Sequence, residues 1–392
     1  MKVSLWKGLL ALLVVLALCS PASAAYTLYD KEGATFTVDG FFNTFYAHSS
    51  TKTEIAGVEV ASRDQSRVKM GFLPNYIGFN FTKQVGGLKL GGRSSFWVSI
   101  NDSDDSAAKV TDTGIDVRQF YGTVDADWGQ VLVGKDFGLF SRSNIFLDEI
   151  LLGFGNVSDT LGLVDGGGVS FGNIGSGYIY PSPTAQITYR TPDFNGFKLA
   201  IGLLDPANTS GSATHEENLP RLEGELTFNK TFDPVATTAW VGFLTQTSEQ
   251  GTNGKVNSTG VSFGVNAKIA GFSLTGSGFT ASGAGWLAGP GGDTALGLGV
   301  IDAAGDEVDS KGFLGQASYT IDKVRLVGSY GKTEVDYDPA SSLEDQTITG
   351  AVFYSVNANF ILVGEYNQNK IDDGAGTEET TDTIAAGVVL TF

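Results

Sequence analysis

A closed transmembrane β-barrel of about sixteen antiparallel strands is the fold class this sequence predicts, and three observations predict it. Segments of about ten residues alternate strictly between apolar and polar positions, each followed by a turn rich in Gly, Asp, Asn or Pro. After the first 24 residues, no apolar run approaches the roughly 18 residues that a membrane helix needs. The chain also stops on such a segment, 384-IAAGVVLTF-392, with Ile384, Ala386, Val388, Leu390 and Phe392 on one face of a strand. Pairing that last strand with the first leaves no open edge and puts Phe392 at the membrane interface as an aromatic anchor.

The other end carries an address. Lys2 and Lys7 precede the apolar run 8-GLLALLVVLALCS-20, and Ala22-Ser23-Ala24 supplies a cleavage site, so residues 1–24 read as a signal peptide. Acylation of Cys19 is the competing reading, but Leu18 stands where a small residue is expected. Cys19 is the sole cysteine, so the mature chain, 25–392, is expected to form one barrel domain without disulfides. Loss of Lys2 and Lys7 takes the formal charge from −18 to −20, which argues against nucleic-acid binding. Abundant β-branched and aromatic residues argue against disorder.

The strands follow in order. In 86-GGLKLGGRSSFWVSI-100, Leu88, Leu90, Phe96, Val98 and Ile100 share one parity, and Lys89, Arg93, Ser95, Trp97 and Ser99 the other. In 196-GFKLAIGLLD-205, Phe197, Leu199, Ile201 and Leu203 alternate with Lys198, Ala200 and Gly202. In 358-ANFILVGEYNQN-369, Phe360, Leu362 and Tyr366 oppose Glu365 and Asn367. Thirteen more candidates bring the total to an even sixteen: 34–48, 66–83, 115–127, 129–137, 184–191, 221–232, 235–247, 258–269, 271–282, 311–321, 323–334, 346–356 and 380–392. Trp97, Trp128 and Trp240 are assigned to the interfacial girdles, with a sugar path through the lumen as the alternative.

Short connections such as 192–196, 232–235, 269–271 and 321–323 suit periplasmic turns. Long, acid-rich ones at 49–65, 205–219, 282–310 and 370–379 suit the outer face. The longest interruption, near 138–183, is rich in apolar residues, as in 144-NIFLDEILLGFG-155. A connection of that length is functional or disordered, and its apolar content favours folding inward to narrow a pore over an ordinary surface loop.

Three stretches carry a resemblance. The segment 28-LYDKEGATFTVDGFFN-43 looks like the opening and first strand of the general trimeric porins of Gram-negative outer membranes. The stretch 117-VRQFYGTVDADWGQVLVGKDFG-138 resembles that family's fourth and fifth strands, and 187-ITYRTPDFNGFKLAIGL-203 its sixth and seventh. The resemblance implies a homotrimer in outer-membrane lipid that passes small hydrophilic solutes and ions. It also implies that the barrel-assembly machinery reads Phe392 as an assembly signal. Arg118, Lys135 and Arg190 match the family's basic wall cluster. Where the family carries a further Arg on its second strand, this chain has Tyr76, and Arg93 supplies the missing cation. Asp148, Glu149, Asp159 and Asp165 would oppose them from the third loop. Facing rows of fixed charge across a narrow aqueous gap orient water and polar solutes.

Enzyme readings find little support. Gly-x-Ser-x-Gly occurs at 168–172 and 260–264, but a nucleophile elbow needs a strand–turn–helix context and a later His. His48 and His215 are the only histidines, and neither follows Ser262. No metal, nucleotide or other cofactor is expected, because the Cys/His content and the Gly-rich stretch 285–299 lack the required patterns. A barrel with a mainly structural or adhesive surface role remains the alternative to a diffusion channel.

Overall fold

In the computed structural model, the chain is described over residues 25–102, 115–159, 162–166, 170–207, 216–249, 254–286, 296–298, 301–302, 306–338 and 341–392. The leader with Cys19, His215, residues 168–169 and most of 285–299 lie outside the described residues.

Period-two alternation becomes wall. A short β1 (Tyr26–Lys31) turns into β2 (Ala34–Ile55), which runs through Ala56 and Gly57 into β3 (Val58–Lys69). That two-residue turn holds both residues at positive φ, 51° and 76°, the geometry of a tight hairpin. β4 (Asn75–Val85) continues the line of β3: β2 pairs with β3 from Phe45 to Ile55 and with β4 from Ala34 to Phe41. The second wall position is therefore one strand broken at 70–74. Then come β5 (Leu88–Val98), β6 (Asp116–Ala126) and β7 (Gly129–Asp136). A long excursion follows, holding one helical turn, α1 (Arg142–Phe146), before β8 (Thr184–Arg190) and β9 (Phe197–Leu204).

The wall continues through β10 (Arg221–Phe232), β11 (Val235–Glu249), β12 (Lys255–Ile269) and β13 (Phe272–Ser282). A separate two-stranded sheet, β14 (Ala284–Trp286) with β15 (Leu296–Leu298), interrupts it. β16 (Asp309–Ile321), β17 (Val324–Asp338), β18 (Ser341–Asn357), β19 (Phe360–Asp372) and β20 (Thr377–Thr391) complete the circuit. Consecutive wall strands are antiparallel neighbours, and β20 pairs with β2 from Phe41↔Thr391 to Ile55↔Thr377. With β3 and β4 sharing one position and β1 extending the line of β20, the ring has sixteen positions, as the alternation predicts.

The seam is tight. Gly40 and Phe392 exchange backbone bonds of 2.9 and 3.1 Å, and the Phe392 ring stacks 5.9 Å from Phe42. A Cβ on Gly40 would lie 2.3 Å from that ring, so only glycine lets the terminal aromatic close the seam.

The two faces differ as lipid and water require. Val241, Phe263, Leu274 and Ile384 face outward and are exposed, while Ser49–Thr383 and Thr51–Thr381 are bonded and buried within. Aromatic pairs Trp128–Tyr189, Phe197–Phe228 and Phe272–Tyr319 sit near the short turns, where an interfacial girdle belongs.

Two expectations are corrected here. The stretches 49–65 and 370–379 are mostly strand, so these hairpins project beyond the membrane with short tips at 56–57 and 373–376. Trp97 and Trp240 are not girdle residues. They are buried on the inner face, where their ring N–H groups donate to Ser95 at 2.6 Å and Asn144 at 3.1 Å. Only Trp128 of the three joins the outer aromatics, because it sits in the turn between β6 and β7 while the others fall on the polar parity.

Candidate functional site

Strand parity decides which side chains reach the interior, and the 137–183 segment meets many of them. Three wall carboxylates accept its backbone N–H groups. Glu223 takes Leu139 at 2.6 Å and Phe140 at 3.0 Å, Glu225 takes Ser143 at 2.9 Å, and Glu365 takes Phe154 at 2.9 Å and Gly155 at 2.8 Å. Asn144 bonds Ser277 on β13, Glu149 bonds Arg325 on β17, and Asn156 bonds Thr347 on β18. Ser158 donates to Glu379 on β20 at 2.8 Å. The Phe72 N–H, in the broken second wall position, donates to the Gly153 carbonyl at 3.1 Å.

Close approach needs small residues where backbone meets wall. A Cβ on Gly331 of β17 would lie 1.8 Å from the Ser176 carbonyl oxygen, and one on Gly71 would lie 2.3 Å from that of Gly153. Apolar side chains fill the gap behind the segment: Ile150, Phe154, Val157 and Tyr178 pack in one buried cluster with Phe45, Leu314 and Val335 of the wall.

The charges pair differently from the sequence expectation. Arg93 does face inward, but it binds Asp39 at 2.9 Å, Asn80 at 2.7 Å and Gln119 at 2.8 Å, and it lies over the Tyr76 ring. Arg118 binds Asp116 at 2.8 Å and donates to the Tyr180 hydroxyl at 3.2 Å. Arg190 reaches Gln130 at 2.8 Å and, with Arg142, flanks the buried Asp136 at 3.7 and 3.1 Å.

Lys135 is the exception among the expected wall cations. It pairs in register with Phe120 and Ala185, both outward, and shares the parity of exposed Val133. Its neighbour Asp136 is the inward residue. One position along a strand changes face, so a motif match displaced by one residue names the wrong side.

The expected acids meet other cations. Asp159 and Asp165 are held by Arg63, and Asp165 also by Arg67 at 2.8 Å, all from β3. Lys69, next on that parity, donates to the carbonyls of Leu163 and of Gly166, the latter at 3.0 Å. Glu149 pairs with Arg325 at 3.0 Å, and that guanidinium stacks 4.1 Å from the Phe353 ring.

Asp148 meets no cation among the described residues. It is buried and accepts from Gln316 at 2.8 Å, Asn173 at 2.9 Å and the Tyr178 hydroxyl at 2.9 Å. Burial pushes its carboxyl above the usual range, against the opposing pull of those donors. Burial, followed by the Asp148 charge, holds the Tyr178 hydroxyl far above the ordinary tyrosine range. Asp148 therefore knits the segment to itself and to β16.

Sequence reasoning missed Asp39, Arg63, Arg67, Arg325 and the three anchoring glutamates. A signal was present for the β3 group: in 63-RDQSRVK-69, Arg63, Gln65, Arg67 and Lys69 stand two apart on one parity. Among the described residues, no group of His, Cys, Asp or Glu is arranged to hold a metal ion.

The model of the Gram-negative porin family matches residues 10–374. Among solved structures, the outer-membrane channel DcaP of Acinetobacter baumannii is similar at 15% identity, covering 94% of this chain and all of that one, with a TM-score of 0.65. An anion-selective porin from Comamonas acidovorans follows at 16% identity, 92% and 100% coverage and a TM-score of 0.63. OmpT of Vibrio cholerae in its trimer form shows 15% identity, 92% and 100% coverage and a TM-score of 0.57. No curated protein sequence matches the chain. A closed antiparallel barrel with an apolar outer face and a polar interior is what this family builds: the chain belongs to the Gram-negative porins, and it is an outer-membrane channel for passive diffusion of solutes.

Proposed function

We propose that residues 137–183 lie across the bore of this channel and set its narrowest section, so that small hydrophilic solutes and ions pass and apolar ones do not. The observation that carries this reading is the ring of inward side chains, from Glu223 on β10 round to Arg63 on β3, that bond to the segment. Contacts with so much of the circumference suit a segment spanning the interior. The pore acts without catalysis or a bound cofactor and works as a homotrimer, in keeping with the similarity to OmpT of Vibrio cholerae in its trimer form. Residues 1–24 are removed on export, and Phe392 presents the assembly signal.

Selectivity follows from how the interior charges pair. Cations and carboxylates bind one another across the wall and the segment, which leaves a weak net field at the narrow section. With Lys2 and Lys7 gone, the formal charge of −20, two below the −18 of the whole chain, weights the mouth toward cations. At about 0.1 M salt the Debye length is near 10 Å, so distant charges are screened, whereas at about 0.01 M it reaches roughly 30 Å. Reversal potentials across a KCl gradient should therefore report a weak cation preference that grows as salt falls, unlike the anion-selective relative. Glu149→Gln should shift selectivity toward anions by releasing Arg325, whereas Asp148→Asn should leave it nearly unchanged. Anion preference at every concentration overturns this reading of the field. No shift in Glu149→Gln removes the 137–183 segment from the constriction.

A further inference from the structure

The formal charge is unevenly placed along the axis of the bore. At the hairpin end, carboxylates stand directly opposite one another across five strand pairs: Glu334↔Glu344, Glu344↔Asp372, Asp372↔Glu378, Glu378↔Glu54 and Glu54↔Glu59. Like charges in register destabilise a sheet, so this belt costs stability where it stands. Lysines relieve part of it: Lys311 binds Glu334 at 2.8 Å, Lys332 binds Glu334 and Glu344 at 2.9 Å, and Lys370 binds Glu378 at 2.5 Å. Asp302, Asp306, Glu307 and Asp373 add acid near the tips. Inside this end, Arg63, Arg67 and Lys69 stand against Asp159, Asp165 and Glu379, so the belt and the tips remain as a negative surplus.

The short-turn end is different. Lys89 on β5, Lys198 on β9 and Lys268 on β12 each stand next to the terminal residue of the strand at this end. Register puts all three on the inward parity: Lys89 pairs with Gln84 and Asp125, Lys198 with Thr227, and Lys268 with Ser273. Lys89 and Lys198 are exposed and Lys268 is half-buried. Among the described residues, none of the three has an ion-pair partner. Asp125, opposite Lys89, is held by Thr123 at 3.1 Å and Gln130 at 2.7 Å. On the tips and outer wall of this end, Asp30, Glu32, Asp127, Asp193, Asp233 and Asp322 are set against Lys31, Lys83, Lys230 and Lys323. Nearer the segment, Arg93 and Arg325 are matched by Asp39 and Glu149. The end as a whole is near balance, and the wall that faces its water is positive.

We infer that the pore rectifies ionic current, because its fixed charge lies in series: negative at the outer mouth, balanced in the middle and positive at the periplasmic mouth. Each mouth gathers its counterions, cations at the outer one and anions at the inner one, when screening is weak. A potential that is positive on the outer side drives both populations toward the middle, where they add carriers. The opposite sign draws both away and empties the middle. The pore therefore conducts better with the outer side positive, which favours entry of cationic solutes and exit of anionic ones. This property goes beyond passive diffusion. It needs an open aqueous bore but no particular path for residues 137–183.

The test records channels in planar bilayers with identical KCl on both sides, at about 0.01 M, where the Debye length is near 30 Å, and at about 1 M, where it is near 3 Å. Ala375→Cys on the exposed β19–β20 tip, tagged from one side with a bulky membrane-impermeant maleimide, identifies the side that the hairpins face. In dilute salt the current with that side positive should exceed the reverse current by about 1.5-fold or more, and in concentrated salt the two should agree. The triple variant Lys89→Gln/Lys198→Gln/Lys268→Gln should lose most of the excess and keep its heat-modifiable mobility. Should it misfold, each single exchange is expected to lower the ratio, and three unchanged ratios overturn the inference. Equal currents at both polarities in dilute salt, or a larger current with the periplasmic side positive, also overturn it while leaving the channel intact. Rectification that persists in concentrated salt or in the folded triple variant comes from the shape of the bore, and overturns it as well.

Discussion

An arginine at Leu199 is expected to destabilise the barrel by roughly 1–2 kcal/mol, less than the ~2–4 kcal/mol of a charge at the midplane because Leu199 lies two residues from the Phe197 girdle. Leu199 shares the outward parity of exposed Phe197, Ile201 and Leu203, and it pairs with Leu226, also outward. An arginine at Ala200, one residue on, faces the aqueous interior and should cost far less. Reversible denaturant unfolding in lipid vesicles measures both. Equal costs on the two parities would refute the assignment of faces.

Replacing Glu365 with leucine should loosen the 137–183 segment. Glu365 is buried on β19 and accepts the N–H groups of Phe154 and Gly155. Leucine leaves both donors unpaired, at about 1–3 kcal/mol each, while relieving the cost of a buried acid. The two terms partly cancel in global stability, so the effect should appear in the segment. Current recordings should show raised open-channel noise and a broadened conductance distribution. Glu365→Gln retains a carbonyl acceptor and should fall between wild type and leucine. Wild-type noise in the leucine variant means that the anchor does not restrain the segment.

The outer architecture was legible because its cause is local. Alternation at period two is written residue by residue, and it yields sixteen wall positions and a seam closed by Phe392. The extent of the hairpins was not legible. The runs 49–65 and 370–379 are rich in Thr, Ser, Glu and Asp, which look like loop until β2 and β3, or β19 and β20, pair beyond the membrane. The candidate strand 66–83 places the end of β3 and β4 in one wall position, but alternation does not show the break at 70–74, whose N–H groups are taken up by Asn101, Asn43 and the Gly153 carbonyl, all distant in sequence.

Charge partners were harder still. The identity of each pair depends on the path taken by 137–183, which has no period of its own. Parity alone puts Arg93 inward, but its partner Asp39 lies on β2, two wall positions away. The family motif names Lys135 against its own parity, and the structure follows the parity. Trp97 already stood beside Arg93 and Ser95 on the polar face, so its inward position was readable. For Trp240, the partner Asn144 comes from α1, which no local pattern announces.

The central claim is that residues 137–183 set the width of the channel. The most direct measurement is the single-channel conductance of a variant in which 143–178 is replaced by a short Gly-Ser linker, recorded in planar bilayers with polyethylene glycols of graded size. Heat-modifiable mobility certifies that the variant barrel is closed. Larger current steps than wild type, with larger polymers now entering the pore, are expected. A folded variant with wild-type steps and an unchanged polymer cut-off would contradict the claim.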